Sequence, residues 1–161
     1  RDLGKVFTEV NNLLCESNSE GLFITAFEGV LDLATGQFDF VNAGHEMPFI
    51  SRAGGDFEAH RIRPGFVLAG MEDMRYQAGS FTLEAGDKIF QYTDGVTEAT
   101  NARNELYGME RLGEILRKNR RQGPAGILTA VKKDIDRFVG SAPQFDDITM
   151  ICMEYKGGGK R

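Results

Sequence analysis

An α+β fold is predicted by three features of the chain: helical spacing of apolar residues at its start, short strand-like runs divided by glycine-rich turns through its middle, and helical spacing again from Met109 onward. Leu3, Val6, Phe7, Val10, Leu13 and Leu14 recur on one face of an amphipathic helix that begins with the first residues. Residues 22–33 are rich in Phe, Ile, Val and Thr, and Ala34-Thr35-Gly36 supplies a turn into residues 37–42, which predicts a β-hairpin. Further strands are expected at 48–52, 57–62, 75–83 and 88–93, together forming an antiparallel meander. Met109, Leu112, Ile115 and Leu116 then mark one helix, and Ile127, Leu128, Val131, Ile135 and Phe138 a second, with Gly123-Pro124 between them. The final run, 148–155, is apolar at nearly every position and predicts a central strand covered on both faces. One domain is expected over residues 1–155, with 156–161, three of them glycine, as a flexible tail or linker.

Composition narrows the function classes. Apolar and charged residues, at 41% and 27%, are in the ordinary globular range, so the chain is expected to fold rather than remain disordered. A net charge of −5 supplies no basic field for nucleic acid, and no apolar run approaches the roughly 18 residues of a membrane span. No membrane contact is expected of this segment. Cys15 and Cys152 lack the paired spacing of a zinc site or a disulfide framework, and a cytoplasmic location is expected.

Two acidic steps flank strand-like runs: Asp94-Gly95 after residues 88–93, and Asp146-Asp147 before residues 148–155. Carboxylates delivered from strand ends are what a hard divalent cation requires. An isolated Asp-Gly is more often a turn, and Asp-Asp can simply end a loop. The context here is richer: Thr93 precedes Asp94, Val96-Thr97-Glu98-Ala99 follows, and Gly95 would let the backbone turn sharply with the Asp94 carboxylate aimed inward. Adjacent like charges at Asp146 and Asp147 are costly unless solvent or a cation screens them.

Four segments then carry a family resemblance: 21–26 with Leu31-Asp32-Leu33-Ala34-Thr35-Gly36, Val41-Asn42-Ala43-Gly44-His45, Tyr92-Thr93-Asp94-Gly95-Val96-Thr97-Glu98-Ala99, and Phe145-Asp146-Asp147-Ile148-Thr149. In order and spacing the chain resembles the SpoIIE-type branch of the metal-dependent Ser/Thr protein phosphatases, the phosphatase 2C superfamily. The resemblance implies an α/β/β/α sandwich of two antiparallel sheets flanked by helix pairs. It implies that Asp94 and Asp146 are catalytic residues and ligands of two Mn²⁺ or Mg²⁺ ions, with Gly95 at the cofactor-binding turn and Asp147 as neighbouring or alternate ligand. The reaction implied is direct hydrolysis by metal-activated water, with no phosphoenzyme. The substrate implied is a protein phosphorylated on Ser or Thr, of the anti-anti-sigma-factor type, in a bacterial signalling pathway with an upstream sensor or regulatory domain. His45 is left outside the catalytic set, because a lone His after a strand is more often structural. The basic run 117–121 is read as complementing a helix C-terminus.

One departure qualifies the resemblance. The family's first metal motif, an Asp-Val-Ser-Gly-His-Gly-like strand end, has no counterpart here, and neither Gly29-Val30-Leu31-Asp32 nor Gly65-Phe66-Val67-Leu68 replaces it. The expectation is a domain missing its N-terminal portion, inactive as supplied and active when complete. A silent phosphatase-like binding or sensing module is the alternative.

Overall fold

The computed structural model describes residues 2–144 and 146–158. Phe145 of the Phe-Asp-Asp motif and the last three residues of the predicted tail lie outside the described residues, as does Arg1. The described residues divide into two compact units: those of 2–45, 61–83 and 158 form one, those of 46–60 and 84–157 the other.

In the first unit, helix α1 (Leu3–Glu16) is capped by Asp2, whose side chain accepts from the Lys5 N–H. Strands β1 (Ala26–Leu31), β2 (Gln37–Ala43) and β5 (Ala78–Thr82) form an antiparallel sheet in the order β1-β2-β5. The predicted hairpin is present, with Leu31 opposite Phe38. Its turn is held by Asp32, whose carboxylate accepts from the N–H groups of Ala34 and Thr35 at 2.8 and 3.0 Å. The Thr35 and Ala34 amides hold that carboxyl below its usual range, so Asp32 serves the turn. Leu3 and Phe7 of α1 pack on Val41, Ala43, Leu68 and Tyr76. Buried Asn11 ties the helix to the loop before β5, donating to the Met71 carbonyl and accepting from Ala69 N–H and the Tyr76 hydroxyl.

The second unit holds β3 (Phe49–Ser51), β4 (Phe57–Ala59), β6 (Lys88–Tyr92) and β7 (Met150–Glu154) as an antiparallel sheet in the order β4-β3-β6-β7. Helices α2 (Asp94–Thr97), α3 (Gly108–Asn119) and α4 (Pro124–Val139) complete it, with Pro124 in the first turn of α4, where a missing N–H costs nothing. Phe90, Tyr92, Leu112, Leu116, Ile127 and Val131 form the middle of its core. Arg117 and Lys118 lie in the last turn of α3, as the dipole reading of the basic run requires.

Three sequence expectations need correction. The middle strands are not one meander, because the chain passes from β2 into the second sheet and returns at β5. The last strand is an edge strand: β6 is central, and Ile151 of β7 is 62% exposed while Met150 and Cys152 pack on the core. An apolar run signals two covered faces only when both are covered by neighbours the run itself does not reveal. The Asp94-Gly95 step opens a short helix rather than a turn.

A buried polar cluster joins α3 to α4. Asp134 accepts from the Tyr107 hydroxyl and from Arg111 Nε, both at 2.9 Å, while Arg111 lies over the Phe138 ring. The Arg111 guanidinium holds the Asp134 carboxyl below its usual range. Its folded pKa is below the unfolded one, so its contribution is complete above the ordinary carboxylate range of about 4 and is lost as pH falls through the folded value. Asp134→Asn is therefore expected to lower Tm at neutral pH and to flatten the acid limb of a Tm–pH profile below about pH 4. An acid limb as steep as that of the wild type would show that other carboxylates govern it.

Candidate functional site

The two acidic motifs meet because β6 and β7 are antiparallel neighbours, with Tyr92 opposite Met150. The end of β6 and the beginning of β7 are therefore adjacent, and Asp94 and Asp147 lie just beyond the last ladder pair. Thr93 fastens the two ends. Its N–H donates to the Thr149 carbonyl at 3.0 Å, its hydroxyl donates to the Asp147 carbonyl at 3.0 Å, and the same oxygen accepts from Thr149 N–H at 3.1 Å. Both threonines are in the motifs, yet their role as a clamp depends on a strand pairing that one-dimensional spacing does not specify.

Gly95 is needed for close approach. A Cβ built there would stand 2.4 Å from the Asp147 carbonyl oxygen and 3.0 Å from its carbon. The sharp-turn reading is thus replaced by a contact reading: helix α2 sits directly against the Asp146-Asp147 backbone, and only a residue without a side chain fits between.

The carboxylates themselves are exposed, so Asp94 is not buried inward as the sequence reading expects. Asp94 is the first residue of α2, and its Oδ1 accepts from Gly95 N–H at 3.0 Å. Asp146 Oδ1 accepts from Asp147 N–H at 2.6 Å, while Gln144 Nε2 donates to the Asp146 carbonyl at 2.8 Å. Among the described residues none of Asp94, Asp146 and Asp147 pairs with a Lys, Arg or His. The backbone thus brings three carboxylate-bearing residues onto two adjoining turns and leaves their charge unneutralised by protein cations. That donor set suits a hard, hydrated divalent cation held from one side. It is not a closed cage: among the described residues no group of three or more His, Cys, Asp or Glu side chains is gathered tightly enough to hold a metal ion.

His45 belongs to the first unit. Its backbone is clamped by Asn42, which donates from Nδ2 to the His45 carbonyl at 2.9 Å and accepts the His45 N–H at 2.8 Å. Gly44 between them has φ +72°, and a Cβ there would meet Val67 at 2.7 Å, which explains the glycine of Asn-Ala-Gly-His. Among the described residues the imidazole hydrogen-bonds to the exposed Thr25 hydroxyl, at 3.1 Å. The stabilising member of the motif is therefore Asn42 rather than the His45 ring. Asn42→Ala is expected to cost about 1–3 kcal/mol by leaving two backbone groups without partners, and His45→Ala within about 0.5 kcal/mol. Denaturant titration of both variants checks the ranking, and a reversed order would place the imidazole in the folding core.

The neighbouring thiol is excluded from this chemistry. Burial pushes Cys152 up to about 11, which leaves it protonated and unreactive at neutral pH.

The model of the family "Stage II sporulation protein E (SpoIIE)" matches residues 1–156. The chain is 34% identical over 139 residues to Protein IcfG of Synechocystis sp. (strain ATCC 27184 / PCC 6803 / Kazusa), an alignment covering 86% of this chain and 22% of that protein. It is 30% identical over 94 residues to the phosphoserine phosphatase RsbU of Bacillus subtilis (strain 168), covering 58% of this chain and 28% of that one. Among solved structures, the phosphatase domain of the cell fate determinant SpoIIE from Bacillus subtilis, presoaked with Mn, superposes with a TM-score of 0.61 at 18% identity, over 85% of this chain and 59% of that one. The chain thus spans about a quarter of the curated relatives it matches. The two antiparallel sheets with their helices have the phosphatase 2C-like fold. A match over nearly the whole chain, carried by motifs that the sheet brings together at adjoining strand ends, shows that this protein belongs to the SpoIIE family of phosphatase 2C-type domains.

Proposed function

We propose that this chain supplies part of the catalytic domain of a metal-dependent protein serine/threonine phosphatase. Its substrate is a phosphoprotein of the anti-anti-sigma-factor type in a bacterial, cytoplasmic signalling pathway. The observation that supports this most is the Thr93 clamp, which joins the Asp94 turn to the Asp146-Asp147 turn and leaves the carboxylates free of protein cations. The relative named as a phosphoserine phosphatase supports the same reaction class.

Asp94 and Asp146 would hold the cations, two Mn²⁺ or Mg²⁺ ions in the complete site, with Asp147 as a neighbouring ligand and Gly95 keeping the two turns in contact. When bound, such cations would supply Lewis acidity to phosphoryl oxygens and lower the pKa of a bound water toward about 7. The chain's own residues contribute charge and position. Asp94 is fixed by the start of α2 and Asp146 by the hydrogen bonds of its own loop, while Thr93, next to Asp94, ties the two turns together through Asp147 and Thr149. Two cations require more oxygen ligands than the carboxylates of these turns provide, and bound waters would fill part of each coordination sphere.

The lack of a three-carboxylate group among the described residues favours a second reading, a silent phosphatase-like module that binds a phosphoprotein without hydrolysing it. Hydrolysis of a phosphoserine protein by the complete domain, with and without chelator, separates the two. The phosphatase reading expects turnover that needs Mn²⁺ or Mg²⁺, disappears with EDTA and leaves no phosphate on the protein. Retained binding with no turnover at any cation concentration selects the silent module, and a trapped phosphoenzyme rules out direct hydrolysis.

A further inference from the structure

Beside Asp146, wholly within the second unit, lies a cavity of about 250 Å³. The last turn of α4 and the loop after it form one side, and the residues following Gly95 form the other. Small-molecule sites run from about 300 to 1,000 Å³, so this volume suits one long side chain rather than a cofactor.

Its walls have two characters. Ile135, Val139, Pro143 and Ile148 make an apolar surface, while Glu98, Asp136 and Asp146 put carboxylates around it. No Lys or Arg is among the described residues that line it. Asp136 is already committed to Lys132, at 2.5 Å. Glu98 is exposed and has no hydrogen-bonded or ionic side-chain partner among the described residues. A bare divalent ion is a poor occupant, since a hard cation seeks about six to eight oxygens and four of these walls are hydrocarbon. A basic side chain uses both characters, laying its aliphatic stem on the apolar wall and its charged head against a carboxylate.

We propose that this cavity is a specificity subsite for an arginine or lysine that flanks the phosphorylated residue of the substrate, with Glu98 accepting the charged head and Val139 and Ile148 carrying the stem. The assignment rests on the phosphatase reading above for the kind of chain that presents the basic residue. Because Asp146 borders both the cavity and the candidate cation site, the basic residue would sit close to the phosphoserine in sequence.

The test is the affinity of the protein for fluorescent phosphoserine peptides in chelator, measured by anisotropy. Arginine is placed at successive positions on either side of the phosphoserine and compared with norleucine and glutamate. At one position arginine is expected to bind about fivefold tighter than norleucine, as for a partly exposed charge pair. Glu98→Gln should remove most of that preference, Glu98→Arg should turn it toward glutamate, and Lys132→Ala, which frees Asp136, should strengthen it. Equal affinities for the three peptide series, tighter binding of norleucine than arginine, or an unchanged arginine preference in Glu98→Arg would each overturn the subsite. The same peptides in a hydrolysis assay keep the two readings apart. An arginine preference without turnover removes the phosphatase reading and keeps the subsite, whereas turnover without preference removes the subsite alone.

Discussion

In the complete domain, Asp94→Asn and Asp146→Asn are each expected to lower phosphatase turnover by more than about 100-fold with the fold intact. Changes in groups that merely support a metal ligand cost 10–100-fold, and replacing a carboxylate ligand by a neutral amide removes the charge on which cation binding depends. Fold retention follows from the local bonds. An asparagine at 94 can still accept from Gly95 N–H, and one at 146 from Asp147 N–H, because each bond uses a side-chain oxygen that Asn retains. Asp147→Asn should be milder, since the Asp147 carbonyl, not its carboxylate, meets Thr93 and Gly95. Steady-state rates across a Mn²⁺ titration, with circular dichroism on each variant, test the set. Wild-type rates in Asp94→Asn or Asp146→Asn would remove that residue from the site, and a larger loss in Asp147→Asn than in Asp146→Asn would exchange their roles.

Gly95→Ala is expected to be nearly as damaging, for a steric reason. The new methyl would stand 2.4 Å from the Asp147 carbonyl oxygen, a separation that a Cβ does not tolerate against backbone. Either α2 or the Asp146-Asp147 turn must move away, at about 1–3 kcal/mol of overpacking. A displacement near 1 Å can cost about 100-fold in rate, so activity should fall by roughly that factor. Intrinsic helix propensity pulls the other way, favouring Ala over Gly by about 1 kcal/mol, which gives the experiment a clear sign. A raised Tm with unchanged turnover would mean that the two turns are not in contact in solution.

These two expectations draw on different sources. The acidic residues were legible in the sequence, because Asp-Gly and Asp-Asp steps beside strand-like runs are chemically distinctive, and so was the resemblance that their order carries. The role of Gly95 was not. Read along the chain it is a residue that permits a sharp turn, and only the neighbouring strand end, more than fifty residues away in sequence, shows that the missing side chain makes room for the Asp147 carbonyl. The same is true of Thr93, whose value lies in three hydrogen bonds to residues 147 and 149.

By itself the sequence determined the α+β class, a hairpin turning at Ala34-Thr35-Gly36, the two long C-terminal helices and the presence of two acidic steps beside strand-like runs, since these depend on local periodicity, turn chemistry and residue type. The tertiary structure decided the order of the strands, and with it the edge position of β7 and the meeting of the two motifs. It also decided that Asn42, not the His45 ring, secures its turn. The reason is physical: periodicity reports that a face is apolar, but which neighbour covers it, and which strand end lies beside which, depend on pairings between residues far apart in the chain.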